Sequence, residues 1–147
     1  MSDRLLDTNA VSAAMKADSR FSRYLQALPD ETHIVTSVVV EGEILFGISR
    51  LPSGRKRTQL EVALADILTD MDGILPVTRD VAARYAKLKT AMWSRGKPMS
   101  DNDMWIAATS ALHDLILVTT DVAFASVPGL TVELWSDEAE ETRQMKA

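Results

Sequence analysis

Short apolar runs rich in β-branched residues alternate with longer stretches of helical spacing along this chain, and that alternation restricts the fold more than any other feature. Leu5-Leu6, Ile34-Val35-Thr36, Ile74 to Val77, Leu115 to Val118 and Leu130 to Trp135 read as strands. Pro76 favours a short or edge position for the third of them. Between the runs lie helical pieces from Ser12 to Leu28, broken by Pro29-Asp30, and a helix from Val38 to Ser49 that Thr36 or Ser37 caps. Leu60, Leu64, Ile67, Leu68 and Met71 mark a further helix; Val81, Tyr85, Leu88 and Met92 mark another. Met104 to Leu112 is an Ala-rich helix apolar enough to be buried. The rhythm predicts an α/β fold, a three-layer α/β/α sandwich with a mainly parallel central sheet and right-handed crossovers. Ligands of such sheets sit beyond the carboxyl ends of the strands, where the strand order reverses.

A chain of 147 residues suits one domain with a sizeable core, expected over 1–135 with a charged tail at 136–147. The absence of cysteine excludes disulfide scaffolds, thiolate metal sites and cysteine nucleophiles. No segment is apolar enough to span a bilayer, and Asp3, Arg4 and Asp7 leave no apolar leader, so a cytoplasmic protein is expected. The net charge of −5 argues against a nucleic-acid coat but not against a nuclease. Basic residues cluster locally, from Arg50 to Arg57 and from Arg79 to Lys97.

Acids fall where the ligand edge is expected. Asp7 follows the first strand, Asp121 the fourth, Glu43 lies in the helix after the second, and Asp103 opens the buried helix, preceded by Asp101. If the first and fourth strands are neighbours, these carboxylates converge, and converging like charges need a cation or raised pKa values. Oxygen donors without His or Cys indicate Mg²⁺ or Mn²⁺, whose usual chemistry is hydrolysis of phosphate esters. Each acid also has a plainer role. Asp7 would cap the next helix, and Ser100-Asp101-Asn102-Asp103 has the form of a capping box. Helical periodicity leaves Glu41 and Glu43 undecided, because Val38 to Ile48 is apolar nearly all round.

The motifs themselves have a family likeness. Leu6-Asp7-Thr8-Asn9, Glu43-Ile44-Leu45-Phe46-Gly47, Asn102-Asp103-Met104-Trp105-Ile106-Ala107-Ala108 and Leu117-Val118-Thr119-Thr120-Asp121 resemble, in order, the four motifs of the PIN domain family. Val127-Pro128-Gly129-Leu130 running to Trp135 resembles its C-terminal end, and the single-domain length resembles the VapC-type toxins. The resemblance implies a Mg²⁺-dependent endoribonuclease, usually dimeric, held inactive by a cognate VapB-like antitoxin. It implies Asp7 and Asp103 as principal metal ligands, with Glu43, chosen over Glu41, and Asp121 completing the acidic site. Asn9 would orient Asp7, and Thr119 matches a polar position beside the fourth acid. Asp101 falls outside the third motif and reads as a cap or peripheral acid.

Other readings remain open at this point. Arg55, Lys56 and Arg57 would hold RNA backbone, or else are only a solvated helix face. A phosphatase or phosphoacceptor site would want a second acid beside Asp7, where Thr8 and Asn9 stand. A nuclease of another target class and a binding module whose acids only cap helices are the remaining alternatives. Trp93, Trp105 and Trp135 are expected in the core or an interface, and His33 and His113 in surface or helix-end roles. The toxin reading also implies a hydrophobic groove for an antitoxin segment, which the sequence does not locate, the Leu25–Leu28 region and the Glu43 helix being guesses.

Overall fold

In the computed structural model, which describes residues 3–135, the five apolar runs form one sheet. The strands are β1 (Arg4–Leu6), β2 (Ile34–Ser37), β3 (Gly73–Leu75), β4 (Ile116–Thr119) and β5 (Thr131–Leu134). Their order is β3-β2-β1-β4-β5, and every neighbouring pair is parallel. Six α-helices connect them: α1 (Thr8–Met15), α2 (Ser19–Gln26), α3 (Val38–Ser49), α4 (Arg55–Asp70), α5 (Arg79–Ser94) and α6 (Asp101–Leu112). A 3₁₀ turn over Val122–Ser126 joins β4 to β5. The expected tail at 136–147 lies outside the described residues.

Departures from the expected boundaries have local causes. Pro76 offers no N–H to a ladder, so β3 stops at Leu75, and it lies at the sheet edge as anticipated. Leu115 donates its N–H to Ser110 O (2.9 Å) to close α6, which delays β4 by one residue. Gly129, at φ 74°, makes the turn before β5, so that strand begins at Thr131. The helical stretch from Ser12 to Leu28 splits at Ala17, and Asp18 restarts it by accepting from the N–H groups of Arg20 and Phe21. α4 starts at Arg55, five residues before Leu60, because its first turn is polar and carries no apolar periodicity.

Leu5 and Leu6 on β1 and Leu117 and Val118 on β4 are fully buried, as central parallel strands covered on both faces must be. With right-handed crossovers, the reversal of direction after β3 puts α1 to α4 on one face and α5 and α6 on the other. The packing agrees: α1 touches α2, α3 and α4, while α5 pairs closely with α6. Strand order reverses between β1 and β4, so this neighbouring pair, on which the convergence of acids depended, defines the switch point. No helix among the described residues is long and apolar enough to cross a membrane.

α3 is unusual in being apolar on two sides. Val40, Ile44 and Ile48 fill the core, while Val38, Leu45 and Phe46 face outward, Phe46 with 57% of its surface exposed. Trp105 and Trp135 pack against the core as expected. Trp93 does not; it is 72% exposed near the end of α5, so a core position is ruled out for it. His33 pairs with Asp3 at the surface, and His113 forms the C-terminal cap of α6, both in the bland roles anticipated.

Candidate active site

Asp7 emerges from the end of β1 at the switch point and is almost wholly buried. Its backbone N–H donates to Val118 O on β4 (3.2 Å), and its Oδ1 accepts from Ala10 N (2.9 Å). The capping role is therefore real. It does not account for the electrostatics. Burial pushes the Asp7 carboxyl up to about 6, against the opposing hydrogen bonds from Thr119 and Ala10, and the charges of Asp103 and Asp121 raise it further.

Asp103 is half-buried in the first turn of α6, where Ser100 Oγ accepts its N–H (3.2 Å) as the capping box required. Its carboxyl is also held above the usual range, first by burial and then by the charges of Glu43 and Asp121. Glu43 Oε1 accepts a hydrogen bond from Thr8 Oγ1 (2.8 Å), which joins α3 to the first turn of α1. This contact and its effect on Asp103 place Glu43 beside the other acids. Asp121 caps the 3₁₀ turn through Ala123 N (2.9 Å), and Thr119 Oγ1 accepts the N–H of Asp121 (2.9 Å). Thr119 thus touches two of the acids.

The structure brings Asp7, Glu43, Asp103 and Asp121 into one electrostatic group at the carboxyl edge of the sheet. Asp101 stands apart from it. Tyr85 Oη (2.8 Å) and Lys89 Nζ (2.6 Å) both donate to Asp101 Oδ1, and they hold this exposed carboxyl below its ordinary range. Asn9 departs from its expected role, since its amide donates to Thr120 Oγ1 (3.4 Å), while Thr119 and Ala10 hold Asp7. Asn9 instead braces the loop that carries Asp121. Thr8 escaped the sequence reading, although a hydroxyl beside Asp7 in a helical first turn was its signal.

Arg55, Lys56 and Arg57 form the first turn of α4. Arg57 is engaged by Glu61 Oε1 (3.1 Å) and Leu51 O (3.4 Å), whereas Arg55 and Lys56 are exposed. Glu43 also borders a surface cleft of about 640 Å³ between α3 and α6, lined by Phe46, Val77, Asn102 and Trp105 among others.

The PIN-domain family model matches residues 4–130, which spans β1 to β4 and ends just before β5. The chain belongs to the PIN-domain family. VapC ribonuclease Y4jK of Sinorhizobium fredii is 30% identical over 87% of this chain and 94% of its own. Toxin FitB of Neisseria gonorrhoeae is 29% identical over 90% of this chain and 99% of its own. Among solved structures, VapBC2 from Rickettsia felis, bound to a DNA fragment from its promoter, superposes with a TM-score of 0.81 at 25% identity, covering 90% of this chain and 98% of that one. The structure of FitAB bound to a DNA fragment gives 0.72 at 26% identity, covering 90% and 96%. As a PIN domain, the chain has the switch-point acids its fold places at the sheet edge.

Proposed function

We infer that this PIN domain is an endoribonuclease, the toxin of a toxin–antitoxin pair, acting with a divalent cation on RNA phosphodiester bonds in the cytoplasm. The observation that carries the chemistry is the burial of Asp7 among the charges of Asp103 and Asp121 at the strand-order reversal. Buried like charges are costly, and a site that keeps them has a cationic occupant to satisfy. The antitoxin part is supported by the similar VapBC-5 of Mycobacterium tuberculosis, a member of the VapBC family of toxin–antitoxin systems, and by a toxin–antitoxin complex from Klebsiella pneumoniae. Homodimerisation belongs to the same reading.

The donor set fits a hard cation, being all carboxylate oxygen. Among the described residues, no three acidic or His side chains are drawn together tightly enough to hold an ion. That arrangement suits a cation that keeps most of its water and takes one or two carboxylates, as Mg²⁺ or Mn²⁺ does. Asp7 and Asp103 would hold it, with Glu43 and Asp121 acting directly or through water. Bound there, a divalent cation supplies charge for a phosphate oxygen and a water of lowered pKa. The chain contributes alignment. Thr119 fixes Asp7 and the Asp121 backbone, Thr8 holds Glu43, and Ser100 sets the turn that presents Asp103.

The test is to map RNA 5′ ends after brief induction of the wild type and Asp7→Asn in bacterial cells. Discrete new ends with the wild type alone are expected. Their absence, with the wild-type protein folded and abundant, would overturn the ribonuclease reading.

The basic turn of α4 carries a smaller prediction. Replacing Arg55, Lys56 and Arg57 together with Gln should weaken RNA binding and flatten its salt dependence by about 1.5 to 3 in the slope of log K against log salt. Arg57, already paired with Glu61, should account for the least of it. A titration of RNA binding at several salt concentrations measures this, and an unchanged slope rejects the assignment.

A further inference from the structure

The cleft beside Glu43 has features that the acidic centre does not use. Phe46 projects from the outer side of α3, and the guanidinium of Arg50 lies 5.6 Å from its ring centroid. Across the cleft stands Trp105, stacked flat on Tyr85 with centroids 3.7 Å apart and planes 7° from parallel. Tyr85 is itself held: its hydroxyl donates to Asp101 Oδ1 (2.8 Å) and accepts from Lys89 Nζ (3.1 Å). The exposed acid that stands apart from the cluster therefore anchors the ring on which the indole rests. Asn102, exposed at the start of α6 and adjacent to Asp103, brings an amide donor and acceptor to the same cleft.

A ligand suited to these groups is flat, aromatic, edged with hydrogen-bonding groups and joined to an anion. We propose that the cleft is a nucleobase subsite for single-stranded RNA, in which Phe46 and Trp105 stack on a base next to the scissile phosphate. Asn102 reads the edge of that base, and Arg50 meets a flanking phosphate. The proposal rests on the ribonuclease reading and extends it to how the substrate is gripped. Continuity with the acidic centre, through Glu43 and the Asn102–Asp103 step, favours a nucleotide over an apolar protein surface. Stacking of one base on aromatic side chains is worth enough to lower affinity roughly 5- to 140-fold when it is lost.

The experiment uses a short RNA carrying a cleavage site mapped for the wild type, and versions with a single abasic nucleotide on either side of that site. Phe46→Ala, Phe46→Leu and Phe46→Trp are compared with the wild type in kcat/KM and in sedimentation. Phe46 is exposed, so these changes spare the core. On intact RNA, Phe46→Ala should lower kcat/KM by roughly 5- to 140-fold, chiefly through KM. Phe46→Leu should fare little better, because it restores apolar volume without a π face, while Phe46→Trp should restore activity. On one of the abasic RNAs the Phe46→Ala penalty should shrink below about twofold. An equal penalty on every RNA overturns the subsite. So does a rescue by Phe46→Leu accompanied by reassembly of an oligomer that Phe46→Ala had broken, which would make this face a contact between copies of the chain. A wild type that cleaves no RNA defeats the ribonuclease reading itself; a wild type that cleaves RNA, indistinguishable from Phe46→Ala, defeats the subsite alone.

Discussion

Asp7→Asn is expected to lower RNA cleavage by at least about a thousandfold while leaving the chain folded, a loss of about 4 kcal/mol in transition-state stabilisation. The two halves of that result have separate physical origins. Folding survives because asparagine is as good a helix cap as aspartate, and its side-chain oxygen still accepts from Ala10 N. Activity does not survive because the substitution removes the negative charge that sits deepest at the strand-order reversal and keeps the surrounding dipoles in place. Glu41→Gln is the matching control on the helix that carries Glu43. Glu41 lies in the first turn of α3 and is absent from the charges that act on Asp7 and Asp103, so its loss should change the rate by less than about twofold. Glu43→Gln should instead fall with Asp7→Asn. Rates of a purified preparation, alongside far-ultraviolet circular dichroism of each variant, decide the matter. Residual activity within tenfold of the wild type in a folded Asp7→Asn protein would remove Asp7 from the chemistry.

Much of this site was legible because strand ends announce themselves. Runs such as Leu5-Leu6 and Leu117-Val118, set in the alternating rhythm of the chain, fit covered parallel strands, and the polar residue that ends such a strand lies at the carboxyl edge of the sheet. Helix positions were less readable. Glu41 and Glu43 are separated by a residue on a helix that is apolar on two sides, so no moment points to the core, and only the contact with Thr8 distinguishes them. Asn9 shows a different limit: its partner, Thr120, comes from more than a hundred residues away and depends on the pairing of β1 with β4. The turn that Asp121 caps and the polar start of α4 carry no apolar period, and they were invisible for that reason. The Tyr85–Trp105 stack was hidden twice, since both residues read as ordinary helix-face positions until α5 packs on α6.

Freed of metal by a chelator, the protein should lose stability as pH rises from about 4 to about 6, and a divalent cation should restore it. Asp7 is the cause. Its carboxyl titrates near 6 when folded and near 3.8 when exposed, so between those values the folded state holds a proton that the unfolded state has released. Stability is then full below about 4, declines through the window and levels off above 6, by on the order of 3 kcal/mol for this group. Asp103, raised for the same reason, adds to the decline. Asp3 and Asp101 are shifted the other way and would favour the folded state as pH rises, but both are exposed and act below the window, where such pairs contribute little. A cation offsets the repulsion only when the acids are ionised. Millimolar Mg²⁺ should therefore raise the midpoint of thermal unfolding by roughly 5–10 °C at pH 7 and by much less at pH 5. Asp7→Asn removes the ionisation itself, so it should be more stable than the metal-free wild type at pH 7, show little pH slope between 4 and 6, and respond weakly to Mg²⁺. Melting curves of both proteins across this range, with chelator and with Mg²⁺, give each of these signs independently. A wild type whose metal-free stability rises through the window would mean that Asp7 is ionised and satisfied by the protein alone, and the site would then have no electrostatic deficit for a cation to fill.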